Sequence, residues 1–374
     1  MRKLTDICDI QYGYAFDSKY FTEDSSYPEL VRIRDVKRGY SETFYSGEFP
    51  KEYILSAGDL LIGMDGEFNI ARWKSDGALL NQRVCKLSAK EGINEEYLRF
   101  AMSKELKRIE QRTAFVTVKH LSAKELNKLE LDVPNIFEQN RIADTLKLLE
   151  EIIKKRQQEL QKLNDLIRAR FVEMFGDPIE NPKGWEFVTI GDVVTEVRYG
   201  TSKPAVEGGK YPYLRMNNLT VDGHLDLHDL KYIDISDDEI EKCVVRKGDV
   251  LFNRTNSIEL VGKTAVFDLS EDMVIAGYII RVRLNEKILP EVFAQFMNLE
   301  VLKKILRSMA KGAVNQANIN AQELQRIKVY LPEMKLQKQF IEMKEQVDKS
   351  KAVIQKALDK TQLLFDSLMQ KYFG

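Results

Sequence analysis

From Ile142 onward the apolar positions step in alternating fours and threes: Ile142, Leu146, Leu149, Ile153, then Arg156, Leu160, Leu163, Ile167, Arg170 and Met174. This is a heptad seam interrupted twice by arginine, and it predicts a helix running from Pro134 to about Phe175. The intervening "EEIIKKRQQELQKLND" mixes acid and base almost evenly, as a solvated helix with a narrow apolar stripe does. The register returns at Phe340, Val347, Ile354, Leu358, Phe365, Leu368 and Tyr372, broken by Lys344, Lys351 and Thr361. Neither segment is hydrophobic all round, so the two stripes are expected to bury each other in an antiparallel coiled coil, a rod of roughly 55 to 60 Å. The alternative is a pair of hairpins packed on their own domains or on a second copy.

Elsewhere the pattern switches to short alternating runs. "ELVRIRDV", "GDLLIGM", "RVCKL" and "KLELDV" in the first half, and "PYLRM", "GDVLFNR", "TAVFDL" and "YIIRVRL" in the second, predict strands separated by turn signals such as Gly58-Asp59 and Gly248-Asp249. One helix is predicted in each half, Glu95 to Gln111 and Pro290 to Met309, the latter with proline in its first turn. "HLDLH" at His224 to His228 is expected as a surface strand beside a turn.

These elements occur twice. "LSAKELNKLELDVP" from Leu121 returns 198 residues on as "INAQELQRIKVYLP" from Ile319, and the register holds from there to "MFG" at Met174 and "YFG" at Tyr372. Upstream, "AGDLLIGM" at Ala57 answers "KGDVLFNR" at Lys247, and "YPELVRIRDV" at Tyr27 answers "YPYLRMNNL" at Tyr211. So long a period marks a duplicated half-protein with pseudo-twofold design, not a solenoid. The fold class is therefore α/β (α+β), with two similar mixed domains (1–135 and 177–333) and two long helices (136–176 and 334–374).

Composition narrows the function classes. Cys8, Cys85 and Cys243 are scattered with no Cys-x-x-Cys, which suggests neither disulfides nor a zinc knuckle and fits a cytoplasmic protein. No apolar run of about 20 residues offers a membrane span. The net charge of −1 is neutral evidence on nucleic acid, because phosphate binding needs only a local basic surface. There is no Gly-x-x-x-x-Gly-Lys-Ser/Thr loop, no Gly-x-Gly-x-x-Gly and no Asp/Asn-Pro-Pro-aromatic motif. The histidines of "HLDLH" and the "EMK" at Glu333 are better read as surface positions than as a metal or nuclease site. No catalytic or metal residue is expected.

What remains suits recognition. Arg, Asn and Gln discriminate base edges, while Lys and Ser/Thr hold phosphate. The first half offers Arg32, Arg34, Lys37, Arg38, Asn69, Arg72, Gln82, Arg83, Lys119 and His120. The second offers Arg215, Asn217, Asn218, Arg254, Asn256, Ser257, Lys263, Asn315, Gln316 and Asn318, with "FNRTNS" expected as a polar loop. Its first-half counterpart, "GMDGEFN", differs almost completely, as the tips of two copies reading different ligands would.

In its repeated openings "IQYGYAFDSKYF" and "VRYGTSKPA", the paired "YPELVRIRDV" and "YPYLRMNNL", the "AGDLL" and "KGDVL" strands, and the Gln-rich helix entries "PNIFEQNRIAD" and "PEMKLQKQFIE", the whole chain resembles the specificity subunits of type I restriction-modification systems. One departure is "RTAFVTVKHLSAKEL", where the family usually has the Gly and polar residues seen at Gly312, Asn315 and Gln316. The resemblance implies a non-catalytic subunit whose two domains each read half of a bipartite, asymmetric DNA target. The coiled coil would set their spacing and dock two methyltransferase subunits. S-adenosylmethionine, ATP and Mg would belong to those partners and to the restriction subunits of the full complex, and this chain would hold no cofactor. The competing reading is a coiled-coil scaffold without sequence-specific DNA binding.

Overall fold

The computed structural model describes residues 1–112, 120–313 and 316–374, without the side chains of 311–313 and 316. They form two compact units, residues 1–157 with 356–374, and residues 158–355. In the first unit β1 (Cys8–Tyr12), β2 (Leu60–Gly63), β3 (Ile70–Arg72) and β4 (Val84–Ala89) make an antiparallel sheet in the order β1-β4-β2-β3. In the second, β5 (Val194–Tyr199), β6 (Val250–Asn253), β7 (Thr264–Val266) and β8 (Ile279–Leu284) repeat it as β5-β8-β6-β7.

Alternation along a strand divides the core between the two sheet faces. Leu60 and Ile62 face one cluster and Leu61 another, which holds Trp73; Val250 and Phe252 likewise part from Leu251. The repeated Gly-Asp builds the turn into each central strand. Gly58 and Gly248 adopt φ of +97° and +93°, which side chains rarely tolerate. Asp59 and Asp249 accept the amides of Ser56 and Arg246 at 2.9 Å, and pair with Lys86 (2.9 Å) and Arg283 (2.8 Å).

Three expected elements take other forms. "ELVRIRDV" is a strand only at Leu30–Val31 and then becomes helix α1 (Ile33–Arg38). The Asp35 carboxylate accepts the Arg32 amide at 2.9 Å, and Gly39 at φ +74° ends the helix. In "PYLRM" the strand Tyr211–Leu214 similarly yields to a turn, with Asn218 Oδ1 accepting the Arg215 amide at 2.8 Å. Helix α2 (Glu95–Arg112) is continuous, but its counterpart breaks into α5 (Pro290–Met297) and α6 (Glu300–Met309). At the break Asn298 Nδ2 donates to Thr264 O at 2.6 Å and Lys303 donates to Asn298 Oδ1 at 2.8 Å.

The "LSAKEL" and "INAQEL" echo consists of helix caps. Ser122 Oγ accepts the Glu125 amide ahead of α3 (Ala123–Lys128), and Asn320 Oδ1 accepts the Gln322 and Glu323 amides ahead of α7 (Ala321–Gln325). The long helices follow, α4 (Ile136–Phe175) and α8 (Met334–Phe373), 40 residues each. Their glutamine-rich entries have a structural role: buried Gln139 accepts the Asn94 amide and donates to Pro134 O, and buried Gln337 accepts the Leu289 amide and donates to Pro332 O.

Each unit takes part of both long helices, which run antiparallel within it. In the first, Ile142, Ala143 and Leu146 share a core with Met369, with Phe365, Leu368, Tyr372 and Phe373 packed against it; Leu149 is also buried. The arginine interruption there has a partner, since Arg156 donates to Ala357 O and to the hydroxyl of Thr361, one of the interruptions on α8. In the second, Ile167, Phe171 and Phe175 share a core with Phe340 and Val347, and Leu163 packs against it. Ile153, Leu160, Ile354 and Leu358 are half-buried. Near the end of α4 the buried positions step by four, to Phe171 and Phe175, instead of following the seam to Arg170. A straight helix of 3.6 residues per turn drifts off a heptad, and the unit's core draws the next stripe inward; Arg170 instead pairs with Glu173 at 2.5 Å.

Candidate nucleic-acid interface

At the open end of the first unit's sheet three segments cross. A Cβ on Gly13 would lie 2.0 Å from Asn81 O, so glycine lets β1 leave the sheet against the turn that precedes β4. The Gly13 amide donates to Val84 O at 3.0 Å, and Arg83 in that turn holds φ of +72°. The Met64 amide donates to Arg83 O at 2.8 Å, and the Leu121 amide to Met64 O at 2.7 Å. This backbone frame gathers Asp65, Arg83 and His120: Arg83 Nε lies 3.6 Å from Asp65 Oδ2, Arg83 Nη1 lies 3.2 Å from His120 Nδ1, and His120 contacts Asp65 Oδ1. Lys37 of α1 pairs with Glu67 at 3.1 Å, and Asn69 donates to Glu67 O at 3.1 Å. Lys37 on one side and Arg83 and His120 on the other thus hold the loop 64–69, and Arg32, Arg34, Arg38 and Gln82, their neighbours in the chain, are exposed.

The second unit rebuilds the frame with different side chains. A Cβ on Gly200 would lie 2.1 Å from Ile275 O, and its amide donates to Ile279 O at 3.2 Å. The Arg254 amide donates to Tyr278 O at 3.0 Å, and the Ile319 amide to Arg254 O at 2.9 Å. Met64 and Arg254 are thus counterparts, as are Arg83 and Tyr278, Asp65 and Thr255, and His120 and Asn318. "FNRTNS" is not a loop: Thr255–Asn256 pairs with Gln316–Asn318 as a strand, because the chain leaving β6 finds backbone partners there. Thr255 donates to Asn318 Oδ1 at 2.8 Å, Asn256 to Asn253 Oδ1 at 2.9 Å, and the Ser257 amide to Asn256 Oδ1 at 2.9 Å. The Arg254 guanidinium sits 4.9 Å above the Tyr199 ring. Tyr199, Tyr278 and Asn217 are exposed.

Several candidates are committed to the fold instead. Arg72 bridges Glu95 (2.7 Å) and Glu96 (2.5 Å). Lys263 is buried, donates to Met216 O and Leu219 O, and is held below its ordinary pKa by that burial. Asn218 is buried as a cap, and Arg215 pairs with Asp229 at 2.7 Å. Lys119 and Asn315 lie outside the described residues, as does the Gln316 side chain. Asp65, Tyr199 and Tyr278 were not among the candidates, although aligning Arg83 with Tyr278 across the repeat would have drawn attention to the latter. "HLDLH" is turn and single bridge instead of strand, since the Thr220 amide donates to His224 O and Thr220 Oγ1 accepts the His224 amide, both at 2.9 Å, folding the segment back. No metal-ligating cluster of three or more His, Cys, Asp or Glu occurs among the described residues, and no described helix is long and apolar enough to cross a membrane.

Lys303, beside the α5–α6 break, is 8% exposed and donates to Gly262 O and Asn298 Oδ1. Burial pushes its pKa down to about 7 from 10.5. Between those values the unfolded chain binds the extra proton, so this residue's contribution to stability should rise with pH from about 7 to 10 and level off below 7. Denaturation at pH 7 and 9 checks this: Lys303→Met should flatten the slope relative to the parent, and equal slopes would assign it elsewhere.

The family model for the type I restriction modification DNA specificity domain matches residues 1–164 and again 182–361. The chain belongs to that family. Relatives in this specificity family include the type I restriction enzyme EcoBI specificity subunit of Escherichia coli, 27% identical over 405 residues spanning 99% of this chain and 84% of the relative. The EcoKI specificity subunit of Escherichia coli strain K12 is 23% identical over 95% of this chain and 83% of its own length. The crystal structure of a type I restriction-modification S subunit from M. genitalium shares the fold with TM-score 0.59 at 17% identity, covering 100% of this chain and 95% of that one. The two matched segments each span one set of the repeated sheet, so the duplication is a duplication of the family's own domain.

Proposed function

We propose that this chain is the DNA sequence-recognition subunit of a type I restriction-modification complex, each unit reading one half of a bipartite, asymmetric target. The observation that carries this reading is one backbone frame built twice with exchanged side chains: Met64, Asp65, Arg83 and His120 in one unit, Arg254, Thr255, Tyr278 and Asn318 in the other. A scaffold has no need to hold a junction constant while changing its polar tips, and a sequence reader does. The paired helices α4 and α8 would set the distance between half-sites; half-sites one helical turn apart lie about 34 Å apart on one DNA face, within reach of helices of this length. Outer helix surfaces would dock two methyltransferase subunits, with restriction subunits added in the full complex, all in the cytoplasm. S-adenosylmethionine, ATP and Mg would be held by those partners and catalysis would be theirs, the adenine flipped out of the duplex in their sites.

Single-molecule sequencing of DNA from cells expressing the chain with its methyltransferase tests this. The expected result is a split, asymmetric motif carrying N6-methyladenine on both strands and lost when the chain is deleted. Methylation that persists without the chain would instead favour the scaffold reading.

A further inference from the structure

Each junction carries one arginine at the strand crossing, but the two come from different strands. In the first unit it is Arg83, from the turn, opposite Met64; in the second it is Arg254, from the strand end, opposite Tyr278. Each guanidinium is steadied by its own device. Arg83 stands on a left-handed backbone that non-glycine residues seldom adopt, lies against Asp65 at 3.6 Å and His120 at 3.2 Å, and leaves its side chain 52% exposed. Arg254, half-buried, lies 4.9 Å over the exposed ring of Tyr199, donates from Nη1 to Gly277 O at 3.5 Å, and has a buried Nε with no hydrogen-bond partner among the described residues. A planar guanidinium fork held in place matches the paired N7 and O6 acceptors of guanine in the major groove.

We propose that Arg83 and Arg254 are specificity-determining residues, each contacting one guanine in the half-site its own unit reads, with Asp65 positioning Arg83. This rests on the DNA-reading role proposed above. A phosphate contact would behave differently, weakening all sequences alike.

The test uses the full chain assembled with its methyltransferase subunits, on a randomised target library read out by methylation. Arg83→Ala and Arg83→Lys should lose discrimination at one guanine of one half-site by about 5- to 150-fold, and Arg254→Ala and Arg254→Lys at one guanine of the other. The untouched half-site in each variant reports that the protein is folded. Asp65→Asn should relax the position that the Arg83 variants relax, with the melting temperature unchanged. An unaltered motif in the arginine variants, uniform weakening across sequences, or full activity of the lysine variants would overturn the inference. Parent complex that methylates without sequence preference would instead defeat the DNA-reading role itself.

Discussion

Phe171→Ala should destabilise the second unit by about 3–5 kcal/mol, the usual loss when a fully buried phenylalanine is truncated. Its ring is wholly enclosed, 4.7 Å from Phe175 and 5.3 Å from Phe340, while Phe175 and Phe340 are 5.5 Å apart. All three pairs are edge-on, which adds to the burial of area alone. Because Phe171 lies on α4 and Phe340 on α8, the substitution removes helix packing and domain core together. For a unit of this size the melting temperature should fall by about 6–20 °C. Leu166→Ala, on the exposed face of the same helix at 43% exposure, should change stability by no more than about 0.5 kcal/mol. Thermal and denaturant unfolding of both variants decides; a Phe171→Ala loss below about 1 kcal/mol would mean that the three rings do not join helix to domain.

Exchanging residues 1–133 for the matching segment of another family member should replace one half of the methylated motif and leave the other half and the spacing intact. The exchanged segment carries β1 to β4, α1 and the Asp65–Arg83–His120 junction, whereas Arg254, Tyr278 and Asn318 stay. Sequencing of methylated DNA reads the result directly. A motif that survives the exchange whole would remove base reading from the first unit, and one that changes in both halves would show that the halves are not read independently.

Much of this organisation was legible because duplication doubles every signal. The seam and its interruptions stand out since a long helix gives periodicity many residues in which to accumulate; Arg156 and Thr361, each odd in its own helix, become intelligible as partners. The Gly-Asp pairs and the buried glutamines recur because both units need the same turn and the same helix entry. Short segments misled. In "ELVRIRDV" the alternation of Val31 and Ile33 with Arg32 and Arg34 imitates a strand, but the Asp35 cap and Gly39 decide for a helix. Buried Lys263 resembles a phosphate binder in sequence, since type alone does not tell whether an ammonium meets solvent or the carbonyls of a neighbouring turn. The junction itself was half visible: polar residues cluster there in sequence, but the backbone bonds reveal that Arg83 stands where Tyr278 stands in the other copy.

The division of the long helices between the units also bears on how the molecule is made. The first unit is discontinuous, since residues 1–157 share their core with Phe365, Leu368 and Met369 near the far end of the chain. On a ribosome adding about 5–20 residues per second, the partly built unit must wait roughly 10–40 s while residues 158–355 are synthesised. The second unit is continuous and has all of its parts before then. The order of completion during translation is thus the reverse of the order in the gene, and the half-made N-terminal unit, with Ile142 and Leu146 uncovered, is the stage at which chaperones and proteases have their opportunity.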